Sequence, residues 1–204
     1  MGDATIVPEP PEKPEEFGRF RHIDLDAEQV TTLAHPIRSR LLTALRKGGP
    51  ATSTMLALRL GTNSGTTSYH LRKLADAGLV RDAPEFGDGR DRWWQAAQDS
   101  HSYRSQRFAD DPDALAAADW LYAHYLRHSQ RMAEDWLETR YSWPSEWRDA
   151  SSMSDFVLHL TPAALEELNT ELEAVIRRWR DETDPGLPNA KKVVVLLHDF
   201  PVAE

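Results

Sequence analysis

Cysteine is absent from the 204 residues. That excludes disulfides, thiolate metal sites and cysteine nucleophiles, and nothing points to an oxidising compartment. Long apolar runs are missing too: the longest aliphatic stretch, Val193 to Leu197, falls far short of the ~20 residues a bilayer span needs. The opening PEPPEKPEE holds no apolar signal-peptide core, so a cytoplasmic protein without membrane contact is expected. A glycine-rich phosphate loop, a GxSxG and an HExxH are all lacking, and the many carboxylates fall on expected helix surfaces without converging. Neither enzyme activity nor a cofactor is therefore expected. What remains is 40% hydrophobic and 28% charged, enough to bury the core of one or two domains.

The net charge of −9 argues against a polyanionic partner, but the average hides an asymmetry. Residues 1–22 carry three lysines and arginines against five acids, and residues 99–204 carry 11 against 20. Residues 23–98 alone are net basic, with ten against eight. A nucleic-acid face, if the chain has one, belongs in that middle segment.

Organisation follows from periodicity and breakers. Residues 1–22, with Pro8, Pro10, Pro11 and Pro14 among glutamates, read as a disordered tail. Asp26 to Ala34 reads as a first helix. Pro36 opens a second, with a stripe of Ile37, Leu41, Leu42 and Leu45, closed by Gly48-Gly49-Pro50. A short third helix carries Met55, Leu56 and Leu60 and stops at Gly61; Asn63 caps a fourth that runs to about Ala77 before Gly78. The period then changes to that of a hairpin: Leu79-Val80-Arg81, the turn FGDGR, and RDRWWQAA returning. Short helices followed by a hairpin is the layout of a winged helix-turn-helix. Within it, Leu56, Leu60, Thr67, Leu71 and Leu74 fit an inward face, leaving Ser64, Thr66, Ser68, Tyr69, Arg72 and Lys73 outward. Free N–H groups at Ser64 and Gly65 suit a phosphate, and Arg72 suits a guanine edge.

The strings LAHPIRSRLLTAL, LGTNSGTTSYHLRKLADAGLV and GRDRWW resemble the winged helix-turn-helix of ArsR-type bacterial transcription regulators, over roughly residues 25–98. The resemblance implies a homodimer that binds double-stranded DNA and usually represses until a ligand releases it. It implies DNA contacts at Ser64, Gly65, Thr66, Ser68, Tyr69 and Arg72. LTPAALEEL and VVVLLHDFP are similar to the C-terminal extensions of an actinobacterial subgroup. The chain departs from the cysteine-bearing metal sensors of the family, because ATSTMLALRL replaces their metal-binding helix. Another sensing subgroup uses Asp and His on the last dimer helix. Here His124 and His128 share a face four residues apart, but Tyr122 stands where that pattern has an aspartate. Glu134 or Asp135 would have to complete a shell, so a metal site is the lesser expectation.

In the hairpin, Arg90 and Arg92 are expected at DNA phosphates, against the alternative that Asp82, Glu85, Asp88 and Asp91 neutralise the turn. Trp93 and Trp94 alternate across a strand, so one should face the core. His70 reads as structural.

The second half differs in character. Asp111-Pro112 starts a long helix to about Arg140 with a stripe of Leu115, Ala118, Tyr122, Tyr125, Met132 and Trp136. YSWPSEWRDASSMS reads as a loop, Phe156 to Leu160 as a strand, Thr161-Pro162 as the cap of a helix striped by Leu165, Leu168, Leu172, Val175 and Trp179, and KKVVVLLHDF as a buried strand. Such a strand–helix–strand predicts a right-handed parallel pair. The rings Trp120, Tyr125, Trp136, Trp143 and Trp147 are candidates for an apolar effector pocket, with Arg127 or Arg131 for an anionic group; core or dimer packing is the competing account of each.

The expected architecture is thus mainly α with small β elements. It comprises a disordered Pro/Glu-rich tail (1–22), a winged helix-turn-helix DNA-binding domain (23–98), and a region (99–204) that holds a long dimerisation helix and a small strand–helix–strand unit. The leading functional expectation is a homodimeric sequence-specific transcription regulator, a repressor with a small-molecule effector. The alternatives are a winged-helix module that binds a protein and not DNA, and a histidine-based metal sensor.

Overall fold

The computed structural model describes residues 21–87, 89–184 and 186–202. Of the expected tail, residues 1–20 lie outside the described residues. Arg21 and His22 do not belong to it: the Arg21 amide donates to Asp99 Oδ2 at 2.9 Å, and His22 begins the first strand. The chain forms two units, one up to His124 and one from Tyr125 onward.

In the first unit, strand β1 (His22–Asp24) pairs in parallel with β5 (Ser100–Ser102), His22 opposite Ser100. This short pair was not expected; Ile23 is the single apolar residue among its six, so neither side gives an alternating signal. Helix α1 (Ala27–Leu33) starts on a capping box in which the Gln29 amide donates to Asp26 Oδ1 and the Asp26 amide to Gln29 Oε1, at 2.9 and 3.2 Å. Helix α2 (Pro36–Gly48) follows with Pro36 in its first turn, where a missing N–H costs nothing. Strand β2 (Ala51–Thr52) leads into α3 (Ser53–Leu60), capped by Thr52 and ended by Gly61 in the left-handed conformation, φ +64°. Helix α4 (Ser64–Asp76) is capped by Asn63, whose Oδ1 accepts from the Thr66 amide at 2.8 Å.

Strands β3 (Val80–Asp82) and β4 (Trp93–Ala96) form the expected hairpin, with Val80 opposite Ala96 and Asp82 opposite Trp94. β2 adds on the other side of β4, so the sheet order is β2-β4-β3. Trp94 is buried in this sheet, while Trp93 is half-buried beside Phe86 with ring centroids 6.3 Å apart. The core of the unit is leucine-rich: Leu25, Leu33, Leu41, Leu56, Leu71, Leu74 and Leu79 are fully buried. At about 1.5–3 kcal/mol for each such side chain, this cluster is the main force seating α4 on α2 and α3.

Helix α5 (Pro112–Thr139) begins where Asp111 and Pro112 predict it, with the Ala114 amide donating to Asp111 Oδ1 at 3.0 Å. It runs out of the first unit into the second. Its buried face differs from the expected stripe by one position: Ala114, Ala117, Ala118 and Leu121 are buried, and Tyr122 is exposed. Small alanines permit a close approach that bulky rings do not, so the helix turns its alanine face inward.

In the second unit, the expected loop after α5 is partly helical: a 3₁₀ turn at Arg140–Ser142 and α6 (Ser145–Ala150). Helix α7 (Pro162–Glu182) starts on Thr161, whose Oγ1 accepts from the Ala164 amide at 3.2 Å. The two strands expected on either side of α7 are not formed. Residues 156–160 and 191–200 carry no regular secondary structure, and Phe156, Val157, Val193 and Phe200 are exposed. A strand requires a neighbouring backbone to complete its hydrogen bonds, and none is recorded against these segments among the described residues. The strand–helix–strand expectation is corrected to a helix with apolar flanks. The helical majority and the small β content stand as expected.

Candidate nucleic-acid interface

Helix α4 has 13 residues and is therefore about 20 Å long. Thr67, Leu71 and Leu74 are fully buried, and His70 is 8% exposed. That inner face fixes the helix rotation. Ser64, Gly65, Tyr69, Arg72 and Lys73 are consequently exposed, and Thr66 and Ser68 half-buried. The seven recognition-helix positions singled out from the sequence thus share one outward surface. At the start of the helix the Asn63 side chain takes the Thr66 amide, and Thr67 Oγ1 donates to the Asn63 carbonyl at 3.0 Å. The amides of Ser64 and Gly65 are left for an external acceptor. At the far end, Gln29 Nε2 donates to the Ala77 carbonyl at 3.1 Å, so α1 holds the C-terminus of α4 in place.

The charges on this surface are not equivalent. Lys73 lies 3.8 Å from Asp76. Arg72 has no hydrogen-bond or ion-pair partner among the described residues and is exposed. In the wing, Arg92 is held by Asp82: its Nε donates to Oδ1 and its Nη2 to Oδ2 at 2.7 Å, while the guanidinium lies 4.2 Å from the Trp94 ring centre. The hydrogen bonds from Arg92 hold the Asp82 carboxyl below the usual carboxylate range, and the same bonds raise Arg92. Arg92 therefore stiffens the base of the hairpin. Arg90 is exposed at the tip beside Gly89, which has φ +86°; Asp88, weighed as a neutralising acid, lies outside the described residues.

The candidate effector rings divide. Trp136, Trp143 and Trp147 form a chain with centroid separations of 6.3 and 6.2 Å. Trp120 is stacked instead on His124, 4.9 Å away with planes 12° apart. Tyr125 is half-buried. Trp143 and Trp147 wall an open concavity of about 580 Å³ whose polar lining is Glu146, Asn189 and Lys191, and neither Arg127 nor Arg131 lines it. His124 and His128 are half-buried on α5, and among the described residues no three histidine or carboxylate side chains gather as a metal-ligand set. No described helix is long and apolar enough to cross a membrane.

Residues that sequence reasoning passed over are His35 and Arg38, which come against α4 from the start of α2: the His35 and His70 ring centres are 4.5 Å apart. Only packing brings them there, since 35 residues separate the two rings in the chain. The signal available in the sequence was His70 at an inward-facing position of α4 and His35 immediately before Pro36 at the start of α2.

Residues 33–83 match a family model described as a helix-turn-helix domain. A search of curated proteins finds no match. Among solved structures, a possible transcriptional regulator for arsenical resistance is 28% identical, covering 53% of this chain and 95% of its own, with a TM-score of 0.31. The homodimeric winged helix-turn-helix DNA-binding domain of a possible ArsR-family transcriptional regulator from Mycobacterium bovis is 22% identical, covering 50% and 82%, with a TM-score of 0.33. Lactococcus lactis ZitR in complex with DNA is 14% identical, covering 82% and 81%, with a TM-score of 0.27.

Proposed function

From a helix-turn-helix domain over residues 33–83 that carries a β-hairpin wing, we propose that the chain is a homodimeric, sequence-specific DNA-binding transcription regulator of the ArsR type. In this reading it is a repressor released by a small-molecule effector. The observation that carries the proposal is α4: one face locked into a leucine core, the other presenting Ser64, Thr66, Ser68, Tyr69 and an unpartnered Arg72 along about 20 Å of helix.

The mechanism follows from those positions. Helix α4 lies in the major groove, where Arg72 donates two hydrogen bonds to a guanine edge and the hydroxyls of Ser64, Thr66 and Ser68 contact bases or backbone. The Ser64 and Gly65 amides and Arg90 of the wing take phosphates; Lys73 and Arg92 contribute less because Asp76 and Asp82 hold them. One such unit reads only a short half-site, so two copies reading an inverted repeat supply the specificity. The exposed Tyr122, Leu126 and Leu137 of α5 suit the contact between the copies. The acidic balance of residues 99–204 repels DNA and keeps non-specific affinity low. An effector with a flat apolar body and a charged group fits the Trp143–Trp147 concavity, with Lys191 or Glu146 as its polar partner.

Selection of genomic fragments by the purified chain, followed by footprinting, tests the proposal. A protected inverted repeat is expected, with its sequence preference lost in Arg72→Ala; unchanged discrimination in that variant removes the role given to Arg72. The held state of Lys73 and Arg92 favours one competing reading, a winged-helix module that docks a protein. Retention of no DNA at low salt, together with a salt-insensitive protein complex, would establish that reading instead.

A further inference from the structure

Three of the first unit's nitrogens that are buried without a hydrogen-bond partner belong to one cluster: His35 Nδ1, Arg38 Nε and His70 Nδ1. His35 is the N-cap of α2 but makes no side-chain capping hydrogen bond, so the first amides of that helix gain no acceptor from it. Arg38 lies in the first turn of the same helix. His70 projects from the inner side of α4, more than nine-tenths buried, its ring 4.5 Å from that of His35 and tilted by 42°. Tyr69, half-exposed on the reading surface, meets His70 edge-on at 5.1 Å. The cluster therefore begins at the edge of the reading surface and runs inward to the start of α2.

Every polar group in this cluster is a donor or can become one, and no carboxylate acts on either imidazole. Burial first, then the neighbouring His35 imidazole and then Arg38 hold His70 below the usual histidine range; burial and then Arg38 do the same to His35. Burial also lowers Arg38, against the opposing influence of Tyr69. The titratable groups facing the pair are thus Arg38 from α2 and Tyr69 from α4, and α1, α3 and the wing contribute none that acts on it among the described residues. Buried polar nitrogens are normally satisfied, and a group of three left open, each able to donate once the imidazoles are protonated, suits an oxygen-rich, negatively charged partner. The start of a 13-residue helix beside them adds its own preference for an anion.

We propose that His35, Arg38 and His70 form a phosphate clamp at the seam of α2 and α4 that takes one backbone phosphate of bound DNA, and that DNA binding there takes up protons. The clamp rests on the DNA-binding reading given above. A phosphate seated between the side chains supplies the acceptors that the free protein lacks. It also stabilises the imidazolium forms that burial disfavours, so the two histidines bind protons more tightly in the complex than in the free chain. By linkage, affinity for DNA rises as pH falls. A purely structural histidine pair has the opposite sign: protonating it beside Arg38 loosens the seat of α4, and affinity falls.

The test uses the full chain and a short duplex, with affinity measured at pH 7.5 and 6.0 over a range of salt. Each pKa unit gained on binding is worth about tenfold in affinity once the pH is below both values. A rise of roughly that size is expected for the wild type, with most of it lost in His70→Gln and in His35→Asn, which keeps a capping residue at that position. Arg38→Gln should lower the slope of log affinity against log salt by about one. Circular dichroism confirms that each variant is folded, and Arg38→Lys, which keeps the charge, should restore the slope. Affinity that is flat or weaker at pH 6.0, with an unchanged salt slope in folded Arg38→Gln, overturns the clamp while leaving DNA binding intact. Failure of the wild type to bind any duplex at low salt at either pH overturns both.

Discussion

Acidification should destabilise the first unit through His101. Arg46, in the last turn of α2, donates from Nε to the Gln98 carbonyl at 3.0 Å and from Nη1 to His101 Nδ1 in β5. A guanidinium offers no acceptor, so this contact requires a neutral imidazole with its lone pair on Nδ1. Burial, then the Arg46 charge, then His22 hold the His101 pKa at about 3, against an ordinary 6.5. The folded state therefore resists a proton that the unfolded chain accepts. The associated stability is fully present above pH 6.5 and is lost as pH falls below it. At pH 5.0 the unfolded chain carries nearly one proton more than the folded chain at this residue, which costs about 2 kcal/mol. Urea unfolding at pH 7.5 and 5.0 reads this directly, with His101→Gln as the comparison: the amide oxygen still accepts from Arg46 but does not titrate. The wild type should lose about 2 kcal/mol more than the variant between the two values. His35 and His70 act with the same sign in both proteins and cancel in the difference. Equal losses, or a wild type that gains relative to the variant, would refute the reasoning.

Other outcomes follow from single contacts. Leu71→Ala empties a fully buried position under the reading helix and should cost about 2–5 kcal/mol in urea unfolding. Asn63→Ala removes the cap on the Thr66 amide, for a loss of about 1 kcal/mol and a matching weakening of DNA affinity. A Cβ on Gly87 would lie 2.6 Å from Trp93 Cδ1 and 2.7 Å from its Nε1. Gly87→Ala should therefore displace the Trp93 ring, seen as a shifted tryptophan emission, and weaken DNA binding through the wing more than it lowers stability.

The helical part of the first unit was legible because each of its elements announces itself locally. Asp26 with Gln29, Pro36, Thr52 with Met55, and Asn63 with Thr66 mark helix starts; Gly49, Gly61 and Gly78 mark the ends. Leucines at 71 and 74, together with Thr67, place the inner face, and that alone dictates which side of α4 is outward. Much less of the charge balance could be read. Arg90 and Arg92 look alike in sequence, yet Asp82, ten residues before Arg92, pairs with it only because the hairpin register sets β3 against β4.

Composition, periodicity and capping residues by themselves determined that this chain builds a helix-turn-helix with a wing, and which residues of α4 form its outward face. Each of those features depends on neighbours within about four residues, or on a leucine's insolubility wherever it is buried. Tertiary structure alone decided the pairing of β1 with β5 across 78 residues, the alanine face of α5, the absence of strands at 156–160 and 191–200, and the meeting of His35 with His70. These depend on which distant backbone completes a hydrogen-bond ladder and how closely two elements approach, and an apolar run such as VVVLL carries no record of either.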